Sequence, residues 1–384
     1  MKKYLVSGLG PSESGVGRLM RNLTIQAGHE GFTVIARRSK VSIGEMLAQR
    51  TFISIALELL YRLFDRFVFF LKILQIKKSL VIFVHPQSAG FGILLRLVKK
   101  NKVYLYVMDN SFFCIQSYNL DPEKETECLR CLNTPRSALP GCRPFPIKIN
   151  RLRNVKYLED LSLVSKRISF LVQNDSQGDL VKARFGSSVY VKTVGLDTGE
   201  IVLHDNEMPL KTTSSISFDL VFHGAPHLAK GLRYFIELSE ALSEFTAFIP
   251  SSKIECESVI GRRIMAKNIT FSDCSWESGL KDAVKTANLV VNPSLWSAPI
   301  EGALQKSIHF GRRVVTVESE YGYEKEFIAS DTFIRLPRDV SVAAQILRQK
   351  FPSAMFSPPS PKEINLNLVK ERLNVFKWVS QDEN

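Results

Sequence analysis

Asp219-Leu220-Val221-Phe222-His223-Gly224-Ala225-Pro226-His227-Leu228-Ala229-Lys230-Gly231-Leu232 sets an apolar run of strand length against a glycine turn and the start of a helical pattern. A strand, a glycine loop and a helix open an α/β unit. This opening comes in mid-chain, after a polar stretch with no strong period up to Ser215. The N-terminus begins the same way, with Lys3 to Ser7 running into Leu9-Gly10-Pro11-Ser12-Glu13-Ser14-Gly15-Val16-Gly17-Arg18. Two such openings in 384 residues imply two consecutive doubly wound α/β units.

Further short apolar runs support that division. In the first half, strands are predicted at Phe32 to Ala36, Leu80 to His85, Val103 to Met108, Ile168 to Val172 and Val189 to Val194. In the second they are predicted at Thr246 to Pro250, Ile269 to Phe271, Leu289 to Asn292 and Arg313 to Val317. Helical patterns separate most of them, which favours parallel sheets with crossover helices. The expected division is a first domain over 1–198 carrying a cysteine-rich loop at 110–144, a second over 199–361, and a C-terminal helix within 362–384 that packs back on the first domain.

A content of 45% hydrophobic and 23% charged residues excludes a disordered chain, a collagen and a small disulfide scaffold. Charge is uneven: residues 1–200 hold 30 basic and 16 acidic side chains, residues 201–384 hold 21 and 22. The first half therefore suits an anionic partner such as a membrane surface, a lipid phosphate or nucleic acid. The apolar core Tyr4 to Gly10 is too short for an export signal, so the chain reads as cytosolic. Phe52 to Ile76 is rich in Phe and Leu but interrupted by Glu58, Arg62, Asp65, Arg66 and Lys72, which excludes a membrane span. At helical spacing those five charges fall in one arc, so the helix either packs in a core groove or lies in a membrane interface.

Three stretches can carry chemistry. Glycines at Gly15 and Gly17 open a helix after the first strand, where free amides suit a phosphate. Lys230 stands near a helix start, a place that favours anions, and so makes sense if a phosphate shares the site. Asn292-Pro293-Ser294-Leu295-Trp296-Ser297-Ala298-Pro299-Ile300-Glu301-Gly302-Ala303-Leu304 runs from a strand into a Pro-rich loop at the carboxyl edge of a parallel sheet, where open α/β sheets bind ligands.

In order and spacing these stretches resemble the retaining nucleotide-sugar glycosyltransferases of family 4, whose GT-B fold sets two Rossmann-like domains face to face. The family's glycine-rich first loop matches SGVGRLMRNL (14–23), its Gly-x6-Gly stretch with a Lys-Gly pair matches HGAPHLAKG (223–231), and its Pro-Ser-x-Trp loop matches NPSLWSAPIEGAL (292–304). VKTVGLDTG (191–199) looks like its hinge segment. The resemblance implies an acceptor-side first domain and a donor-side second domain. A sugar would pass from a nucleotide diphosphate to a saccharide or lipid-linked saccharide acceptor, with retention and without a catalytic metal, in surface polysaccharide or glycan synthesis. It implies donor binding by Gly15, Gly17, Gly224, Lys230, Ser294 and Glu301; the basic first half adds an anionic membrane surface at the inner face as the expected partner, with no nucleic acid. The chain departs from the pattern at Ala225, where the family usually has Arg, and at Ala298 and Lys306, where the family's two glutamates would fall. Met108-Asp109 stands where the family has His-Asp.

His85 and Asp109 end neighbouring strands at one sheet edge, as catalytic residues that hold and deprotonate an acceptor hydroxyl or as a satisfied loop histidine and a capping carboxylate. Cys114, Cys128, Cys131 and Cys142 include a Cys-x-x-Cys, which in a cytosolic chain points to structural zinc, with free thiols, a redox pair or an iron–sulfur cluster as alternatives. Two other functions share these features: a nucleotide-sugar 2-epimerase of the same architecture, and a basic zinc-containing nucleic-acid-binding protein. Dispersed basic residues and a neutral second half disfavour the latter.

Overall fold

The computed structural model describes residues 1–12, 15–38, 52–144, 149–196, 217–352 and 374–382. The apolar runs become the buried strands of two six-stranded sheets. The first contains β1 (Lys3–Ser7), β2 (Thr33–Ala36), β3 (Leu80–Val84), β4 (Lys102–Tyr106), β5 (Ile168–Val172) and β6 (Tyr190–Thr193), in the order β2-β1-β3-β4-β5-β6. The second contains β7 (Leu220–Phe222), β8 (Ala247–Ile249), β9 (Ile269–Phe271), β10 (Leu289–Asn292), β11 (Val314–Val317) and β12 (Phe333–Leu336), in the order β12-β11-β10-β7-β8-β9. Each strand pairs parallel to its neighbours, with Leu5 beside Ile82 in one sheet and Val221 beside Val290 in the other. Helices cover both faces, which is why central strands such as Leu-Val-Ile-Phe-Val in β3 are apolar at every position.

In each sheet the strand order reverses direction beside the first strand, between β1 and β3 and between β7 and β10. Loops leaving the carboxyl ends of those strands diverge to opposite faces and leave a crevice between them. The four loops at the two crevices begin at Gly8, His85, His223 and Pro293.

The helix Phe52–Leu74 departs from the core-groove reading. Phe69 and Ile73 are buried in the first core, whereas Leu60, Phe64 and Phe67 are exposed. Among the described residues no helix is long and apolar enough to cross a membrane. The expected boundary at 198/199 lies outside the described residues, as does most of the tail pattern before Phe376. The last described helix, Val375–Gln381, lies on the first sheet's side: Phe376 meets Phe32 edge-on at 4.9 Å, and Tyr104 Oη donates to Asp382 at 2.9 Å.

Residues 110–144, between β4 and the helix Arg151–Val164, reach across to the second domain. Leu120 is buried in the second domain's core. Asn119 accepts from the Ser297 backbone N–H at 3.0 Å and donates to Ser297 Oγ at 2.8 Å. The Glu127 carboxylate, 3% exposed, accepts from Arg338 and from the Glu320 backbone N–H, each at 2.7 Å, and from the Ser297 hydroxyl. Glu125 pairs with Arg233 at 2.9 Å.

Candidate active site

A cavity of about 680 Å³ lies between the two crevices and is lined from both domains. That volume suits a nucleotide-sized ligand. His85, Asp109, Gly224, Lys230, Ser294 and Glu301 all line it. Gly17 does not, although Val16 and Arg18 beside it do, and Gly15 opens the helix Gly15–His29. Gly17 has a packing reason: a Cβ there would stand 1.8 Å from Ser12 Oγ, so the glycine lets the loop fold down on its helix.

Lys230 closes a short 3₁₀ turn, Leu228–Lys230, in which the Ala229 amide donates to His227 Nδ1 at 3.1 Å. The helix proper starts at Leu232, two residues past the lysine. Gly231 between them has φ +75°, and a Cβ there would stand 1.9 Å from the Pro293 carbonyl oxygen. Only glycine combines that left-handed backbone with so close an approach, so the Lys-Gly pair presses the first loop of this domain onto the loop that begins at Pro293. The Lys230 ammonium is hydrogen-bonded to the Glu301 carboxylate, whose other oxygen accepts from Ser294 Oγ at 2.8 Å. It also lies 5.0 Å from the Trp296 ring centroid and 5.5 Å from that of Tyr118, within cation–π range.

On the other wall, His85 has φ 56°, a left-handed conformation that a histidine adopts only at a cost of about 1–3 kcal/mol. Burial pulls its imidazole below the ordinary value of 6.5, against the opposing pull of Asp109, and its Nδ1 has no hydrogen-bond partner among the described residues. Asp109 caps the turn Asn110–Phe112, accepting from the Ser111 amide at 3.0 Å, and both its oxygens accept from Gln87 Nε2 at 2.9 Å. The capping role read for Asp109 is thus present, and it orients the carboxylate in the cavity wall. His223 Nδ1 lies 2.7 Å from Ser307 Oγ, and its ring stacks on Trp276. Burial, helped by the Lys306 cation, lowers its imidazole to about 3, so it is neutral at physiological pH.

Tyr118, Gln173, Trp276 and Lys306 line the cavity without having been singled out as ligand residues from the sequence. Trp276 opens the helical turn Trp276–Leu280 and Lys306 lies within the helix Gly302–Phe310, and neither position carries a motif of its own. Tyr118 could not be found by strand logic, because it arrives on the long 110–144 connection and meets Trp296 at 4.5 Å.

The zinc expectation is not carried by the structure: among the described residues no three or more His, Cys, Asp or Glu side chains are placed to hold a metal ion. Cys114, Cys131 and Cys142 are instead buried in the first domain's core. Burial, and after it the neighbouring cysteines, pushes the Cys114 and Cys142 thiols up and Cys131 up to about 11. Gln116 Nε2 donates to Cys142 Sγ at 3.0 Å.

No protein-family model matches the chain, and no curated protein matches it in sequence. Solved structures do match in three dimensions. An α,α-trehalose-phosphate synthase (UDP-forming) from Burkholderia vietnamiensis superposes with a TM-score of 0.59 at 10% identity, covering 100% of this chain and 99% of that one. Sucrose-phosphate synthase from Thermosynechococcus elongatus gives 0.58 at 10% identity, covering 99% and 94%. Anabaena HepE in complex with UDP-glucose gives 0.56 at 11% identity, covering 99% of each chain. With two parallel six-stranded sheets facing across one cleft, the chain has the two-domain GT-B fold.

Proposed function

We propose that this protein is a glycosyltransferase that moves a sugar from a nucleotide diphosphate to a saccharide or lipid-linked saccharide acceptor. The carrying observation is Lys230, held by Glu301 and Ser294 in a cleft between the carboxyl edges of two parallel sheets. The UDP-glucose complex of the structurally similar HepE supports a nucleotide sugar as co-substrate. Residues 199–361 form the donor side and 1–198 the acceptor side.

In this reading the anomeric carbon's bond to the diphosphate oxygen breaks and its bond to the acceptor oxygen forms on the same face, with retention. Lys230, Arg18 and the amides at the starts of the helices Gly15–His29 and Gly302–Phe310 meet the charge on the departing diphosphate, without a catalytic metal. Glu301 releases Lys230 to the diphosphate and turns to the ribose. On the acceptor side, neutral His85 holds the attacking hydroxyl and Asp109 receives its proton. Synthesis of a surface polysaccharide or glycan at the inner membrane face suits such an acceptor.

A thermal-shift screen with UDP-glucose, UDP-N-acetylglucosamine and GDP-mannose tests this proposal. Binding to the native state alone raises the unfolding temperature, by about 2.7 kcal/mol of stability at a hundredfold excess over Kd. A flat response to every nucleotide sugar would remove the donor site.

A further inference from the structure

Among the described residues, eleven of the twenty exposed large apolar side chains lie on one helix, Phe52–Leu74. Leu60, Phe64 and Phe67 are each about 60% exposed. Of its five charged side chains, Glu58, Arg62 and Asp65 are buried or half-buried, while Arg66 and Lys72 are exposed. Glu58 is buried and accepts from Arg62 Nε at 2.8 Å, and Asp65 accepts from Arg37 Nε at 3.5 Å, on the stripe that continues into buried Phe69 and Ile73. Such a helix presents its oily side outward, which calls for an apolar cover.

Beside it lies a second cavity of about 480 Å³. Phe69, Phe70 and Phe91 give it an apolar wall, and Arg37, Arg66 and Arg153 give it guanidinium groups, with no Asp or Glu among the described residues of the lining. Gln87 lines this cavity as well, and its Nε2 donates to Asp109 in the wall of the first cavity. One hydrogen bond, from Gln87 to Asp109, therefore joins the walls of the two cavities.

We infer that the helix Phe52–Leu74 seats in a bilayer surface and that the arginine cavity takes the phosphate of an anionic bilayer lipid. Apolar side chains outward and guanidinium groups beside them match the two parts of that ligand, an acyl region and a phosphate that arginine binds through paired N–H groups. A second copy of the chain is a poorer cover, since the excess of basic over acidic residues in 1–200 sets like charge against like. The lipid's role rests on the acceptor reading above: a phosphate held next to Gln87 places a lipid-linked acceptor against Asp109. Its binding does not depend on that reading.

Flotation of the full chain with vesicles tests the inference without any nucleotide sugar. The vesicles are phosphatidylcholine alone, or phosphatidylcholine with about 30% phosphatidic acid. Wild type is expected to partition at least tenfold more strongly onto the phosphatidic acid vesicles, and excess glycerol 3-phosphate is expected not to release it. Leu60→Asp and Phe64→Asp, both on exposed positions and checked by thermal melting, should each lose at least tenfold on both compositions. Arg66→Gln with Arg153→Gln should lose about thirtyfold on phosphatidic acid vesicles, about fivefold per arginine, and nothing on phosphatidylcholine. Undiminished binding by the arginine variant, or release of wild type by glycerol 3-phosphate, would overturn the lipid-phosphate site. No vesicle binding together with a dimer that Phe64→Asp dissolves in sedimentation velocity would overturn the bilayer and make the cover a second copy. Because no donor enters the assay, a flat nucleotide-sugar screen with intact flotation would sink the transferase reading and leave this one standing.

Discussion

Lys230→Met removes the charge from the cleft between the two sheets while keeping the length of the side chain. A bound diphosphate gains a charge-assisted hydrogen bond from this lysine, about 1.5–3 kcal/mol. Against that stands the release of Lys230 from Glu301, a pair whose side chains are 21% and 10% exposed. A partly solvated pair of this kind offsets up to about 1 kcal/mol. The expected net loss is about 1–2 kcal/mol, or roughly 5- to 30-fold weaker binding. Titration calorimetry with uridine diphosphate and guanosine diphosphate reads this directly, with thermal melting to confirm folding. A Kd within twofold of wild type for whichever nucleotide binds, in a folded variant, would refute the placement of the diphosphate at Lys230.

Three further outcomes are expected. The imidazole of His223, lowered from 6.5 to about 3 by burial and then by Lys306, contributes stability that is complete above pH 6.5 and is lost as pH falls toward 3. At pH 5 about 2 kcal/mol should be gone in wild type and retained in His223→Gln, so equal urea midpoint shifts between pH 7.5 and 5 for the two proteins would contradict it. Glu127→Ala strips Arg338, Ser297 and the Glu320 amide of their shared acceptor and should cost about 2–4 kcal/mol of domain docking, read as faster proteolysis within 110–144; an unchanged cleavage rate would count against that contact. Buried Cys114 and Cys131 should react with a thiol reagent at pH 8 at least tenfold more slowly than half-buried Cys128, and uniform rates would show that the core around them opens.

The strands were legible because a parallel strand covered on both faces must be apolar throughout, and β1, β5, β9 and β10 begin within one residue of where their runs do. β12 was missed because Phe333-Ile334-Arg335-Leu336 is short and broken by a charge, and it forms by pairing with β11. The helix Phe52–Leu74 was readable as amphipathic, but its orientation was not, since periodicity says nothing about which side meets the core. In the cleft, the glycine loops and Lys230 could be named from local pattern. The bond from Lys230 to Glu301, 71 residues away, could not, because it depends on β7 lying beside β10, nor could the arrival of Tyr118, which depends on how the two halves meet. The cysteines had metal-like spacing but core-like surroundings, and only packing separates the two.

The segment 110–144 also decides where this molecule can be cut and rejoined. A chimera that exchanged the second half for a relative's at the chain's midpoint would leave Asn119, Glu125 and Glu127 facing foreign residues in place of Ser297, Arg233 and Arg338. The exchangeable part is therefore discontinuous: the second sheet together with a piece of chain threaded through the first domain. A recombination library that respects that unit should keep its folded fraction, and one that cuts only between the sheets should lose it.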